Sequence, residues 1–132
     1  MGKLDTADSQ QSRRILVADE TAGGRALLRA ILELDGHFVC EAKEAAKLLG
    51  LARSFDPHLV ILDLEMSKID AYAMVKSLRR IKHPDHLPLI ALSPAATQTF
   101  PEKIVAAGFS SYLVKPISPY ELRSCISVLL RP

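Results

Sequence analysis

Long hydrophobic runs are absent from the sequence, and so is any segment built like a signal peptide. The apolar runs fall well short of the roughly 18 residues that a membrane-spanning helix needs. The N-terminus does not combine a basic start, an apolar stretch and a cleavage site, so we expect no secretion signal. These absences predict a cytoplasmic protein with no membrane partner.

Cysteine and clustered histidine are also scarce. Cys40 and Cys125 are the only cysteines, lie far apart and form no CxxC pair. Two buried free thiols in a reducing cytoplasm are therefore expected rather than a disulfide. His83 and His86 share a proline-rich loop with no third ligand nearby, so we expect solvated histidines there and no zinc site.

A clustered basic segment is missing as well. The net charge is +2 at pH 7 and the basic residues are scattered along the chain. Binding to phosphate backbones usually needs cations on one face, so no direct nucleic-acid contact is expected. Hydrophobic residues make up 48% of the chain, enough for one core. We expect one domain over residues 13–132, preceded by a polar tail or linker over residues 1–12.

The clearest feature that is present is an apolar run, residues 59–62, that ends at Asp63. Four apolar residues, two of them β-branched, suit a strand buried on both faces of a parallel sheet. Other apolar runs predict strands at residues 14–18, 37–42, 89–92 and 111–114. Helical spacing, glycines and capping residues predict helices that end near residue 35, span 45–54 and 71–81, run from Pro101 to Gly108, and begin after Ser118. Within the second helix, Ala46 and Leu48 are expected to face the core.

Five strands that alternate with five helices predict an α/β fold with a parallel sheet covered on both faces. Polar side chains stand where four of these strands end: Asp19 and Glu20, Asp63, Ser93, and Lys115. Because ligands in such sheets bind outside the carboxyl ends of the strands, we expect these groups to meet at one edge.

This combination of side chains is suited to phosphoryl transfer. Three neighbouring carboxylates would repel one another, and Mg²⁺, which prefers oxygen ligands, would remove that cost. Lys115 supplies a positive charge and Ser93 a hydroxyl donor. The carboxylate of Asp63 is of a known nucleophile type and would form an aspartyl phosphate.

The chain from about residue 14 to residue 130 resembles a response-regulator receiver domain of a two-component phosphorelay. Five segments in order carry the resemblance: Ile15–Glu20, Leu59–Met66 with Asp70, Ala91–Ser93, Ala106–Gly108 and Tyr112–Ile117. The resemblance implies a flavodoxin-like, doubly wound (βα)5 sandwich with a five-stranded parallel sheet of order 2-1-3-4-5.

The resemblance also implies roles for individual residues. Asp63 accepts a phosphoryl group from a phosphohistidine on a histidine kinase or histidine phosphotransfer protein. Ser93 and Lys115 contact the phosphoryl oxygens, and Tyr112 is an aromatic switch whose rotamer follows Ser93. The Mg²⁺ cofactor is held, partly through water, by Asp19, Glu20, Asp63 and the backbone carbonyl of Glu65.

As in the family, the domain is expected to catalyse only its own phosphorylation and dephosphorylation and to turn over no outside metabolite. A downstream protein would bind the face formed by the fourth helix, the fifth strand and the fifth helix. A homodimer is left open.

The sequence departs from the family at four positions of the predicted site. Glu20 stands where many members have Asp, Ser67 where Pro is usual, Ala71 where Gly is usual, and Pro94 where a small residue is usual. These departures keep a second hypothesis open, in which the domain is a degenerate receiver that binds proteins independently of phosphorylation.

Enzymes of other classes on this fold match less well. A haloacid-dehalogenase-type phosphatase needs a DxD pair, which Asp63-Leu64-Glu65 only approximates. A flavodoxin needs a phosphate-binding loop after the first strand, where this chain has Asp19 and Glu20.

Overall fold

The structure, a computed structural model, describes residues 12–66, 70–82, 86–94 and 101–131. The predicted tail over residues 1–12, except Ser12, lies outside these ranges, as do Ser67 and His83. The elements of the described ranges are β1 (Arg14–Ala18), α1 (Ala22–Leu34), β2 (Phe38–Ala42), α2 (Leu48–Ser54), β3 (Leu59–Asp63), α3 (Ala71–Ile81), β4 (Leu89–Ser93), α4 (Pro101–Ala107), β5 (Ser111–Val114) and α5 (Pro119–Leu129). A single 3-10 turn at Ala45–Lys47 leads into α2.

The five strands form one parallel sheet in the order β2-β1-β3-β4-β5, which confirms the predicted topology. Leu16 of β1 lies in register between Cys40 of β2 and Val60 of β3. All carboxyl ends of the strands therefore lie at one edge of the sheet, and all amino ends lie at the opposite edge.

Helices cover both faces of the sheet, and each face has its own core. Successive strand residues point to opposite faces, so Leu16 and Val60 pack with α2, α3 and α4. Their neighbours Ile15 and Ile61 pack with α1 and α5. β3 is buried along its whole length, as its continuous apolar run predicts.

The two cysteines lie on different faces of the sheet. Cys40 packs against the core beneath α2, α3 and α4, and Cys125 packs against the core beneath α1 and α5. Both are free, as predicted, but each is half-buried rather than buried. The sheet between them keeps the two thiols from pairing.

Most helix ends follow the predicted signals. Gly36 has φ 88° just beyond α1, and Gly108 has φ 114° just beyond α4. The Ser118 side chain accepts a hydrogen bond from the backbone N–H of Glu121 and begins α5. The longest of the described helices, α1, has 13 residues, and none of them is long and apolar enough to cross a membrane.

The second helix differs from its prediction. Residues 45–47 form a 3-10 turn, α2 begins at Leu48, and no side chain caps it at Lys47. Because a 3-10 turn has 3.0 residues per turn rather than 3.6, it changes which side chains face the sheet. Leu48 is buried, but Ala46 is exposed, so the predicted inward position of Ala46 is wrong.

Candidate functional site

The carboxyl edge of the sheet gathers the polar residues that the sequence places at strand ends. Asp63 and Ser93 are the last residues of β3 and β4, whereas Asp19 and Lys115 directly follow β1 and β5. Asp19 and Asp63 are each 2% exposed and Ser93 is 0% exposed. Buried carboxylates need partners, and those partners define the site.

Both carboxylate oxygens of Asp63 accept hydrogen bonds. Oδ1 accepts from the backbone N–H of Glu65 at 2.9 Å, and Oδ2 accepts from the Lys115 ammonium at 2.9 Å. The next residue, Leu64, donates its N–H to the carbonyl of Leu92 in β4. The Asp63 side chain is therefore held on a strand that stays paired up to the site.

The Lys115 ammonium forms ion pairs with two carboxylates. Besides Asp63, its ammonium lies 3.2 Å from Oε1 of Glu65. Its own N–H donates to the carbonyl of Ser93 at 3.0 Å, which joins the ends of β4 and β5. The Lys115–Pro116 peptide bond is cis. The sequence predicted a metal-binding role for the backbone carbonyl of Glu65 and a negative Glu65 side chain at the mouth of the site, and the structure shows that this side chain contacts Lys115.

Burial and neighbouring charges shift the pKa values of this ion pair. Burial raises the pKa of Asp63, the bonds from Glu65 N–H and Lys115 oppose the rise, and the charge on Asp19 adds to it. Burial alone would lower the pKa of Lys115, but Asp63 and Glu65 outweigh burial and raise it. Lys115 therefore carries its charge at neutral pH, and the buried Asp63 and Asp19 would be stabilised by a further cation.

The residues after β1 fix Asp19. Its Oδ1 accepts from both the backbone N–H and the hydroxyl of Thr21, each at 2.9 Å. A Cβ at Gly24 would lie 2.3 Å from Oδ2 of Asp19, so a larger residue there would have to displace the Asp19 side chain. Arg25 donates to the backbone carbonyl of Asp19 at 2.9 Å and to Glu41 at 3.0 Å.

The supporting roles of Thr21, Gly24 and Arg25 were not predicted from the sequence, in which residues 21–24 were interpreted only as a turn into a helix. Thr21 carried a usable signal, because a threonine before a helical run is a common N-cap, and its side chain does accept from Gly24 N–H. Nothing in one sequence shows the close approach of Asp19 to Gly24.

Three further predicted site residues lie around this centre. The Ser93 hydroxyl donates to the carbonyl of Pro94 at 3.2 Å. Tyr112 pairs in register with Ala91 and is half-buried against the core beneath α2, α3 and α4. Glu20, next to Asp19, is exposed. Their roles in metal binding and switching stay predictions.

The donor set at this edge fits Mg²⁺. No three His, Cys, Asp or Glu side chains in the described ranges cluster closely enough to hold a metal by themselves. Mg²⁺ does not need such a cage, since it is commonly bound through one or two carboxylates, with water and phosphate completing its shell. The two buried, mutually repelling carboxylates of Asp19 and Asp63 provide that number.

Comparisons with known proteins agree with this geometry. The family model described as response regulator receiver domain matches residues 15–127. A 14.6 kDa protein from the sodA1 3' region of Leptolyngbya boryana is 34% identical over 108 residues, which are 82% of each chain. The probable transcriptional regulator ycf27 of Porphyridium aerugineum is 34% identical over 92% of this chain and 49% of its own length.

A solved structure shows the same architecture. The signal receiver domain of a response regulator from Bermanella marisrubri has a TM-score of 0.81 and 28% identity, and the match covers 92% of this chain and 100% of that one. The match thus covers the whole of that receiver domain, whereas the chain spans only about half the length of the ycf27 regulator, 49%.

Proposed function

The chain belongs to the response regulator receiver family, a family of signalling domains, and on that premise we propose that Asp63 accepts a phosphoryl group from a phosphohistidine. The observation that carries the proposal is the 2.9 Å contact between the Lys115 ammonium and a carboxylate that is 2% exposed. A buried carboxylate with a charged lysine beside it, at the ligand-binding edge of a parallel sheet, suits an aspartyl-phosphate site.

The proposed step is a displacement at phosphorus. A carboxylate oxygen of Asp63 attacks, a P–O bond forms, the P–N bond to the imidazole breaks, and its electron pair stays on the imidazole nitrogen, which takes up a proton. The N–H of Glu65 holds the carboxylate in orientation. Lys115 stays charged and stabilises the negative charge that the phosphoryl group brings.

Asp19 and Asp63 would hold Mg²⁺, with the carbonyl of Glu65 and water-mediated contact from Glu20 as further proposed ligands. When bound, Mg²⁺ supplies positive charge against the phosphoryl oxygens. Thr21 and Gly24 keep Asp19 in place for that role.

Phosphorylation is proposed to change the contacts of the lysine and the serine. The new group adds about two negative charges, which compete with Glu65 for Lys115 and with the Pro94 carbonyl for the Ser93 hydroxyl. Tyr112, on the neighbouring strand β5, would change its side-chain rotamer when the Ser93 side chain moves. Exposed apolar side chains on α4 and α5, such as Val105 and Tyr120, would contribute to the downstream protein's contact with the α4–β5–α5 face.

The proposed partners are a histidine kinase or histidine phosphotransfer protein upstream and a protein downstream, with a homodimer left open. For this domain, taken as residues 13–132, we propose no direct contact with nucleic acid. The two free thiols fit a reducing cytoplasm.

Intact-mass measurement after incubation with acetyl phosphate and Mg²⁺ tests the proposal. The native protein is expected to gain one phosphoryl group, and Asp63→Asn, which keeps the side-chain volume, is expected to gain none. No gain in the native protein, or an equal gain in the Asn variant, would refute the assignment of Asp63.

A second candidate, a degenerate receiver that binds proteins without phosphorylation, is supported by one observation. Lys115 already has two carboxylate partners, so the lysine is satisfied without a phosphoryl group. A calorimetric Mg²⁺ titration separates the two candidates, because the phosphoacceptor requires saturable binding that Asp63→Asn weakens, whereas a degenerate site has none.

A further inference from the structure

The edge of the sheet opposite Asp63 contains a cavity that is open to solvent. Its volume is about 350 Å³, within the range of about 300 to 1,000 Å³ that is usual for small-molecule sites. The cavity lies where β1 and β3 begin, and the ends of α3 and α5 contribute Lys82, Leu129 and Leu130 to its walls. It is thus separated from the phosphoacceptor site by the length of the strands.

The walls of the cavity carry an excess of positive charge. Four cationic side chains, Arg13, Arg14, Lys82 and Arg131, line it together with a single carboxylate, Asp56. In the sequence these cations are scattered over more than a hundred positions, and only the fold brings them together. A concave surface with several cations and one anion favours a negatively charged ligand.

The carboxylate of Asp56 lies between two of these cations. It contacts Nη2 of Arg14 at 3.4 Å and Nζ of Lys82. The Arg14 guanidinium is held by the backbone carbonyls of Phe55 and Asp56, at 3.1 and 2.9 Å. Arg14 is therefore oriented in advance, and Asp56 occupies part of the space that an anionic group of a ligand would use.

Neutral and apolar groups complete the cavity. Pro57, Pro88, Leu129 and Leu130 provide apolar wall. His58 and His86 also line the cavity. The pKa of His58 is lowered by burial and then by the charges of Arg14 and Arg13, which agrees with a positive local field.

We propose that this cavity binds a small molecule that carries a diphosphate group, of the nucleoside diphosphate class. Guanidinium groups bind phosphate oxygens in bidentate fashion, and the prolines and leucines offer contact to a base or sugar. Four cations in one concave pocket suit a compact anion better than a nucleic-acid backbone, whose binding needs an extended series of phosphate contacts.

Calorimetric titration of the whole chain in magnesium-free, low-salt buffer tests the proposal, with ADP, pyrophosphate and adenosine as probes. ADP is expected to bind saturably and adenosine is not. ADP tighter than pyrophosphate would identify a nucleotide, and equal affinities would identify the diphosphate alone as the recognised group. Asp63→Asn should bind ADP with the same affinity as the native protein, because the cavity lies at the opposite edge of the sheet from Asp63. Absence of ADP binding would therefore not count against the phosphoacceptor proposal.

Matched variants locate the site. The double variant Lys82→Gln/Arg131→Gln is expected to weaken ADP binding at least about tenfold, whereas Arg53→Gln, an exposed arginine outside the cavity, should have no effect. Asp56→Asn should tighten binding about two- to fivefold by removing the competing carboxylate. Asn also tolerates the positive φ of 49° at this position.

Three results would overturn the proposal: no saturable binding of ADP at millimolar concentration, binding that the double variant leaves unchanged, or tighter binding of a short DNA duplex than of ADP.

Discussion

At the scale of single residues, Asp19 shows how closely the site depends on small neighbours. Its carboxylate is buried, its Oδ1 is fixed by two bonds from Thr21, and its Oδ2 lies where a Cβ at Gly24 would be. Gly24 is therefore a positioning residue for a proposed metal ligand.

Gly24→Ala is expected to displace Asp19 and weaken Mg²⁺ binding about tenfold, in the range typical of residues that support metal ligands. Calorimetric titration with Mg²⁺ measures the effect. Gly23→Ala is the matched control, because a Cβ at Gly23 meets nothing within 4 Å. Equal Mg²⁺ affinity in the two variants would show that Asp19 does not hold the metal as proposed.

The sequence predicted the charged residues of the site but not the residues that hold them in position. Asp63 and Lys115 were predicted because each ends an apolar strand, and the structure brings them into contact. The Glu65 side chain was expected at the mouth of the site, but its contact with Lys115 was not predicted, because that contact depends on how the chain turns after β3. Gly24 was missed because its role depends on a distance between two residues, which no pattern of residue types encodes.

At the scale of elements, the start of β1 is held by two histidines that precede its neighbouring strands. The backbone N–H of Arg13 donates to Nδ1 of His37, and that of Arg14 donates to Nδ1 of His58, at 3.2 and 2.9 Å. Only a neutral imidazole can accept these bonds. Burial is the largest cause that lowers the pKa of both histidines.

The lowered pKa values predict a pH-dependent stability. As the pH falls, these histidines take up protons near pH 6.5 in the unfolded chain, but only at lower pH in the folded protein. Their contribution to stability is therefore fully present above pH 6.5 and is lost as the pH falls toward their lowered pKa values in the folded protein. The free energy of unfolding, measured with urea, is expected to fall by about 1 kcal/mol between pH 7.5 and 5.5.

His58→Asn keeps an acceptor near the Nδ1 position without a titrating group, so it should flatten this pH dependence. Val128→Ala, which changes an exposed side chain without a titrating group, provides the control and should leave the profile unchanged. A profile that His58→Asn leaves as steep as before would contradict the assignment.

The ends of the helices were predictable where a capping residue determines them. Ser118 and Gly36 are cap residues, and the helices end or begin where these residues predict. The start of α2 has no such cap, and the 3-10 turn before it was not predictable from residues that are all compatible with an α-helix.

At the scale of the whole molecule, the two edges of the parallel sheet differ: two buried carboxylates lie at one edge, and a group of cations lies at the other. Every strand begins at one edge and ends at the other, so Asp19 and Asp63 meet at the carboxyl edge, and Arg13 and Arg14 lie at the amino edge. The residues that follow the predicted strands placed these carboxylates at the carboxyl edge. They did not predict the basic cavity, because Lys82 and Arg131 reach it from the ends of α3 and α5.

The proposed convergence of Asp19, Asp63 and Lys115 on one phosphoryl group can be measured in a crystal structure of the protein with Mg²⁺ and beryllium fluoride, a stable mimic of an aspartyl phosphate. The proposal predicts a beryllium fluoride adduct whose beryllium is bonded to a carboxylate oxygen of Asp63, Mg²⁺ bound by Asp19 and Asp63, and the Lys115 ammonium within hydrogen-bond distance of a fluoride. An adduct at another residue, or Asp19 and Lys115 beyond contact with the metal and the fluoride, would contradict it.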